Sequence, residues 1–256
     1  MKIAASILAL AASASAFAPS AKVPRSTVAV SETKADLEVM AKKLNPIIGF
    51  YDPLNLAEAT FWGTSNEATI GFLRHSEIKH GRIAMFAFVG YIVHANGIKF
   101  PWAMQMDGAG FPAETNPPAL WDAVSESAKW QIFGLIAFLE FWSELSTPNH
   151  KHYMAGGKPG DFPDFTTGPD GIPHPVPFNL YDPFKFSKNM SAEKKESRLR
   201  AELNNGRLAQ LGILGFLSAQ SAPGSVPLLA GIVPGYDGEV MAPFTTNMIG
   251  APFGLH

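Results

Sequence analysis

The sequence predicts an all-α membrane protein with three transmembrane helices, of which the first and third cross and are related by a pseudo-twofold axis. Three observations predict it. Long apolar segments alternate with Gly- and Pro-rich loops, two segments nearly repeat each other, and each repeat places a Glu and an Arg at the start of an apolar helix. Charged residues make up only 16% of the chain, whereas a typical soluble domain has roughly 25%.

The composition excludes several classes of function. Lys and Arg number 20 against 22 Asp and Glu, so the net charge is -2 and the chain lacks the basic surface that nucleic-acid binding needs. It contains no cysteine, which excludes disulfides, thiolate metal sites and cysteine nucleophiles. No nucleophile motif, zinc spacing or phosphate loop is present, so the sequence does not predict an enzyme.

The N-terminus reads as two targeting signals in tandem. A short apolar run that ends in Ala-x-Ala predicts a signal peptide over about residues 1–16. The next stretch is basic, rich in hydroxyl groups and free of acidic residues until Glu32, which is typical of transit peptides. We therefore expect a bipartite presequence over residues 1–30 and a single domain over 31–256. A plain secreted protein is the alternative, although a secreted chain without cysteine is less usual.

An internal repeat organises the rest of the chain. Residues 77–84 read Glu-Ile-Lys-His-Gly-Arg-Ile-Ala, and residues 202–209, 125 positions later, read Glu-Leu-Asn-Asn-Gly-Arg-Leu-Ala. A Tyr-Asp-Pro turn precedes each segment, at 51–53 and at 181–183. Two elements repeated in the same order indicate two structurally equivalent halves.

Each repeat continues into an uncharged segment. Residues 83–98 contain no Asp, Glu, Lys or Arg, and the segment from Leu208 onward is uncharged as far as Pro223, which should end the helix. Extended back over their charged starts, both helices reach about 25–30 residues, enough to cross a bilayer with tilt. A third apolar helix is expected over residues 120–145. A soluble bundle of buried helices remains the alternative.

The charged residues of the two repeats predict how the helices pair. Glu77 and Arg82 lie five residues apart, about 140° around a helix, so they cannot comfortably pair with each other. If a twofold axis relates the helices, Glu77 meets Arg207 and Glu202 meets Arg82, which gives each buried charge a partner. Small residues at steps of three would let the backbones approach closely.

Each helix also offers a second donor beside its Glu. His80 follows Glu77 by three residues, and Asn205 follows Glu202 by three, so each projects beside its carboxylate. A carboxylate neutralised by Arg, a His or an Asn can each serve as the single axial ligand of a Mg²⁺ held in a macrocycle. A packed core histidine is the alternative for His80 taken alone.

These two hexapeptides closely resemble the first-helix and third-helix signatures of light-harvesting chlorophyll-binding proteins, and the resemblance covers roughly residues 46–244. The details resemble the fucoxanthin–chlorophyll a/c branch of algae with complex plastids. They are the Ala-Phe-Ala-Pro of the presequence, Leu-Arg-His-Ser-Glu at 73–77, Trp-Gln-Ile-Phe at 130–133 and Gly-Glu-Val-Met-Ala-Pro-Phe at 238–244.

The resemblance implies roles for the repeated residues. It implies axial ligands to chlorophyll magnesium at Glu77, His80, Glu202 and Asn205, and cross-linking arginines at Arg82 and Arg207.

The family's middle helix also supplies ligands, and these match Gln131 and Glu140 here. They lie about 180° apart around the helix, so they would serve two pigments. Alternatively, Gln131 is an interfacial polar residue and Glu140 a carboxylate facing the headgroups, with Glu144 competing for its role.

The third helix departs from the family pattern at one position. Many members have Gln seventeen residues after the third-helix Glu, where this chain has Ala219 and then Gln220. Either Gln220 takes the role after a local shift, or that pigment has no side-chain ligand. The equivalent residue of the first helix is His94, which is either a further ligand or an interfacial histidine. The resemblance also implies that the Tyr-Asp-Pro turns cap two central carotenoids, although Asp before Pro is in itself only a turn signal.

The resemblance implies a plastid thylakoid antenna that transfers excitation energy to a photosystem. Its expected cofactors are chlorophyll a, chlorophyll c and carotenoids of the fucoxanthin and diadinoxanthin types. Its expected partners are a photosystem I or II core, other antenna subunits and thylakoid lipids. A photoprotective, energy-dissipating member of the family is one alternative. A small transport or structural membrane protein is another, because intramembrane Glu, Arg and His also occur in proton relays.

Overall fold

The computed structural model describes residues 32–147, 150–163, 184, 186, 189–240 and 242–244. Within these ranges the chain forms helices and turns and no β-strand. The α-helices are α1 (Lys34–Leu44), α2 (Asn66–Ala95), α3 (Pro117–Ala123), α4 (Glu126–Ser143) and α5 (Ala192–Ser221). The predicted presequence and the second Tyr-Asp-Pro turn lie outside the described residues.

The two repeats form the two longest of these helices. Each has 30 residues, and each begins after a serine whose hydroxyl accepts a backbone N–H: Ser65 from Ala68 and Ser191 from Lys194. Such caps satisfy one of the amide groups that a helix start leaves unpaired. Helix α5 ends at Ser221, two residues before Pro223. The expected lengths and the proline stop are therefore confirmed.

Helices α2 and α5 touch where the two repeats are equivalent. A methyl group built on Gly206 would lie 2.9 Å from the Cα of Gly81, and one built on Gly81 would lie 3.1 Å from the Cα of Gly206. Further along, Tyr91 stacks on Phe216 with ring centroids 4.5 Å apart. Both pairs are separated by the 125-residue offset of the repeat. Contacts between equivalent residues are what a pseudo-twofold axis near the crossing would produce, and the predicted close approach of the two helices is confirmed.

The middle helix differs from its predicted bounds. The expected single helix over 120–145 is interrupted, since α3 ends at Ala123 and α4 begins at Glu126. Val124 and Ser125 between them have extended backbones, with ψ of 135° and 146°. The physical reason is the Ser-Glu pair: serine favours the position before a helix, and an acidic residue in the first turn interacts well with the helix dipole.

In the part of the chain that the structure describes, no helix combines the length and apolar character of a membrane span. The prediction of three spans is therefore not confirmed. Helix α4 does expose large apolar side chains along its length. They are Trp130 (57% exposed), Ile132, Leu135, Ile136, Phe138 and Phe141 (60% exposed).

The first Tyr-Asp-Pro turn forms a hydrogen-bonded cap before α2. The two carboxylate oxygens of Asp52 accept the backbone N–H groups of Leu56 (3.0 Å) and Ala57 (2.8 Å). The N–H of Ala57 and that of Leu56 hold the pKa of Asp52 below its usual range, against the opposing effect of burial. This arrangement explains the turn without a ligand, so its role at a carotenoid stays a prediction.

Candidate functional site

Two reciprocal ion pairs lock the α2–α5 crossing. Arg82 Nε lies 2.6 Å from Glu202 Oε1, and Arg207 Nε lies 2.7 Å from Glu77 Oε1. Each pair joins the two helices, as the charge spacing predicted. The close contact at the neighbouring glycines leaves no room for even a methyl group. The alternative of a transport pathway between the two helices therefore has no space at this point.

The Arg82 pair continues into the loop after α4. Arg82 Nη1 donates to the carbonyl oxygen of Gly160 at 2.7 Å. The arginine that pairs with Glu202 is thus also hydrogen-bonded to the loop. Among the described residues, the hydrogen bond that Glu202 accepts is made by Oε1, none is made by Oε2, and 30% of this side chain is exposed. One carboxylate oxygen of Glu202 is therefore open to a ligand.

The Glu77 pair is closed by a second arginine. Arg74 donates to Glu77 Oε2, and Arg74 Nε also donates to Glu32 at 3.1 Å. The Arg74 side chain is only 7% exposed. Both oxygens of Glu77 therefore accept hydrogen bonds from arginine. Glu77 still lines a cavity of about 360 Å³ between α1 and the long helices, together with Arg74, Arg207 and Tyr51.

The ring of His80 makes the kind of hydrogen bond that orients many metal-binding histidines. Its Nδ1 lies 2.8 Å from the carbonyl oxygen of Ser76 one turn earlier, and the ring is exposed. A carbonyl oxygen only accepts, so Nδ1 carries a hydrogen, and in the neutral ring the lone pair is then on Nε2. Histidines that bind metals commonly donate their other ring N–H to such a carbonyl.

Asn205 and Gln131 are both exposed on their helices. Within the described ranges, neither amide has a hydrogen-bond partner in the protein. Their carbonyl oxygens are oxygen donors of the kind that Mg²⁺ accepts. No three His, Asp or Glu side chains gather into a metal site in these ranges. Each candidate donor therefore stands alone.

The two carboxylates at the end of α4 have different partners. Glu140 Oε2 accepts from Lys79 Nζ at 2.6 Å, which ties α4 to α2. Glu144 Oε2 lies 2.8 Å from His152 Nε2 and accepts from the Tyr153 hydroxyl at 2.9 Å. Burial raises the pKa of Glu144, but these hydrogen bonds outweigh it and the net shift is downward. Glu144 is thus hydrogen-bonded to two residues of the following loop, so Glu140 is the carboxylate more available to a ligand.

His94 and Gln220 lie in opposite environments. His94 is exposed in the last turn of α2. Gln220 is 1% exposed, and its Nε2 donates to Asn116 Oδ1 at 2.6 Å. The buried Oε1 of Gln220 has no partner among the described residues. A ligand at Gln220 would therefore have to reach an oxygen in the protein interior.

Sequence reasoning missed the residues that support these donors. Arg74 could have been found, because it lies three residues before Glu77 and so shares its face of the helix. Lys79 and Gly160 could not, since Lys79 meets Glu140 only when α4 packs on α2, and Gly160 meets Arg82 only through the path of the loop after α4. The donors at Glu202, Asn205, His80 and Gln131 fit single axial ligation of magnesium in a macrocycle. Glu77 and Glu140 fit it through lone pairs not used by their cationic partners.

Comparison with known proteins identifies the family of the chain. The sequence profile described as chlorophyll A-B binding protein matches residues 36–221. The fucoxanthin-chlorophyll a-c binding protein F of Phaeodactylum tricornutum is 34% identical over 81% of this chain and 90% of its own. The fucoxanthin-chlorophyll a-c binding protein of Trieres chinensis is 33% identical over 90% of this chain and 98% of its own. The chain therefore belongs to the chlorophyll a-b binding protein family, in its fucoxanthin–chlorophyll a-c branch.

Proposed function

We propose that this protein is a light-harvesting antenna that holds chlorophyll a, chlorophyll c and carotenoids of the fucoxanthin and diadinoxanthin types. The bound pigments supply light absorption and excitation transfer. The chain supplies axial ligands, fixed spacing and a low-polarity surface. No bond is made or broken in this function, so it requires no catalytic residue.

One observation carries the proposal most strongly. The exposed ring of His80 donates its Nδ1 hydrogen to Ser76, which leaves the Nε2 lone pair available. A histidine kept only for packing would not need this exposed, oriented lone pair. The open oxygen of Glu202, on the equivalent face of the other repeat, supports the same reading.

Each donor has a defined task. His80, Glu202, Asn205 and Gln131 would each donate one lone pair to a chlorophyll magnesium. Glu77 and Glu140 would do so while also accepting hydrogen bonds from arginine or lysine. Arg82 and Arg207 would neutralise the two carboxylates and hold the helices at a fixed crossing. His94 is proposed as a further ligand. Gln220 is proposed to bind pigment only if its buried Oε1 can be reached.

We also propose a location for the protein. Helices α2, α4 and α5 would lie in the plastid thylakoid membrane, with residues 1–30 as the targeting presequence. The relatives described above are named as chloroplastic, which supports this location. The exposed apolar side chains of α4 would then contact lipid and pigment. Partners would be a photosystem I or II core, other antenna subunits and thylakoid lipids.

Refolding the full chain with a pigment extract tests the proposal. We expect stoichiometric chlorophyll and a carotenoid band in the excitation spectrum of chlorophyll fluorescence. His80→Ala, Glu202→Ala and Asn205→Ala should each remove an identifiable chlorophyll band.

Asn204→Ala provides the matched control. Asn204 is the neighbour of Asn205, but its side chain points about 100° away on the helix and donates to the Leu44 carbonyl at 3.4 Å. We expect this variant to keep all the chlorophyll. A folded protein that binds no pigment, or equal losses in Asn204→Ala and Asn205→Ala, would contradict the proposal.

A further inference from the structure

His75 is a buried polar residue of α2 that the proposed ligand set does not use. It is 4% exposed and stacks on Tyr153 with ring centroids 3.9 Å apart. Its Nδ1 accepts the backbone N–H of Gly160 at 3.1 Å. Because Nδ1 is an acceptor, the ring hydrogen is on Nε2.

The ring of His75 carries a cost that a purely packed ring would avoid. Its Nε2 is buried and has no hydrogen-bond partner among the described residues. A buried N–H without an acceptor is unfavourable. Phenylalanine could stack on Tyr153 without this cost. The one interaction that phenylalanine could not reproduce is the hydrogen bond accepted from Gly160.

Gly160 is held from two sides. His75 accepts from its N–H, and Arg82 Nη1 donates to its carbonyl oxygen at 2.7 Å. Only glycine suits this position: φ is +76°, and an added methyl group would lie 2.7 Å from Cγ2 of Ile78. The two backbone polar groups on either side of the Gly160 Cα are therefore held, the N–H by His75 and the carbonyl by Arg82.

Arg82 carries this constraint to the other repeat. While Nη1 is held by Gly160, Nε donates to Glu202 Oε1 at 2.6 Å. The guanidinium is planar and rigid, so fixing one nitrogen limits the directions of the others. The orientation of the Glu202 carboxylate, and hence of its open oxygen, depends on the placement of Gly160.

We propose that His75 is a positioning residue for the ligand Glu202, acting through the backbone of Gly160 and the side chain of Arg82. This inference rests on the proposed function, because it takes Glu202 to be a chlorophyll ligand. The role differs from that of a core residue, since it depends on one acceptor atom rather than on the volume of the ring.

Two substitutions separate these roles. His75→Phe keeps an aromatic ring against Tyr153 but removes the acceptor. His75→Asn removes the ring but can place a carbonyl oxygen close to where Nδ1 was. The full chain is refolded with limiting chlorophyll a, and the band that Glu202→Ala removes is measured. We expect His75→Phe to lower the occupancy of this band about tenfold and His75→Asn to keep it within about twofold.

Gly160→Ala provides an independent test if His75→Phe does not refold. The added methyl group should displace the Gly160 carbonyl from Arg82 and weaken the same band. Gly110→Ala is its control, because nothing lies within 4 Å of that methyl position. The band that His80→Ala removes should stay unchanged in the His75 and Gly160 variants.

The outcomes distinguish the two proposals. If Glu202→Ala removes no chlorophyll band, Glu202 is not a ligand and both proposals fail at this site. If Glu202→Ala removes a band that His75→Phe and Gly160→Ala leave intact, only the positioning role of His75 is overturned. A larger loss in His75→Asn than in His75→Phe would show that the ring, not the acceptor, matters.

Discussion

The two repeats build the same crossing but different carboxylate sites. Glu77 and Glu202 each pair with an arginine of the opposite helix, at 2.7 and 2.6 Å. The second oxygen of Glu77 also accepts a hydrogen bond, from Arg74 on the same helix. The second oxygen of Glu202 accepts none from the described residues. The residue that corresponds to Arg74 in the second repeat is Leu199.

If the proposed function holds, this difference separates the oxygens that form the ion pairs of the crossing from those that would bind a ligand. The reciprocal pairs use one oxygen of each carboxylate, so each repeat contributes one ion pair to the crossing. In the proposed function, a ligand would use the second oxygen, and there the repeats differ, because Arg74 faces Glu77 whereas Leu199 occupies the equivalent position of the second repeat. A carboxylate that accepts hydrogen bonds from two arginines should bind a metal ion more weakly, because its negative charge is already shared between two cations.

Removing the cross-helix arginines should have the largest effect on stability, and the loss should differ between the two repeats. Arg82→Leu removes the cationic partner of Glu202 among the described residues and the hydrogen-bond donor of the Gly160 carbonyl. We expect it to lower the free energy of unfolding by about 2–3 kcal/mol. Arg207→Leu leaves Glu77 paired with Arg74, and we expect about 1 kcal/mol. Thermal unfolding of the refolded complexes, followed by circular dichroism, measures both. Equal losses would contradict a supporting role for Arg74.

The glycines of the crossing should show a smaller effect that is the same in both repeats. Gly81→Ala and Gly206→Ala each force a methyl group against the opposite backbone, and we expect about 1–2 kcal/mol of destabilisation. Gly90→Ala and Gly215→Ala are matched controls, since nothing lies within 4 Å of either methyl position. These two should gain stability, up to about 1 kcal/mol, because alanine favours helix more than glycine does. The same unfolding measurement checks all four, and destabilisation in the controls would refute the contact.

The smallest expected effect concerns the segment that follows α5, where Tyr236 is hydrogen-bonded to Asp122 of α3. The Tyr236 hydroxyl donates to Asp122, and this hydrogen bond, with some burial, raises the pKa of Tyr236 to about 12. The native state therefore favours the protonated phenol. The resulting stability is fully present below the ordinary pKa of 10.0 and is lost as the pH rises toward 12.

Ultraviolet titration of tyrosinate measures this shift, with Tyr236→Phe subtracted to isolate one residue. In Asp122→Asn the pKa should move back toward 10.0. A pKa that stays near 12 in Asp122→Asn would show that the hydrogen bond is not its cause.

The sequence predicted the features that depend on local residue spacing or on the internal repeat. The spacing of Glu77 and Arg82 excluded a pair within one helix, and the repeat supplied Arg207 and Glu202 as partners. The stop before Pro223 also follows from one residue. The break before Glu126 was missed because the flanking prolines and the apolar core from Trp130 indicated one helix, and the helix-start signal of Ser125 and Glu126 lies inside it. The contacts of Gly160 depend on the path of a loop, which no periodicity in the sequence encodes.

The order in which the two carboxylate sites fill with chlorophyll tests the central difference most directly. The full chain and Arg74→Leu are refolded over a series of chlorophyll a concentrations, and the bands lost in Glu77→Ala and Glu202→Ala are followed. We expect the Glu202 band to saturate at lower chlorophyll concentration in the natural chain, and the gap to narrow in Arg74→Leu. If the Glu77 band saturates first, or if Arg74→Leu leaves the gap unchanged, the second arginine does not weaken Glu77 as a ligand.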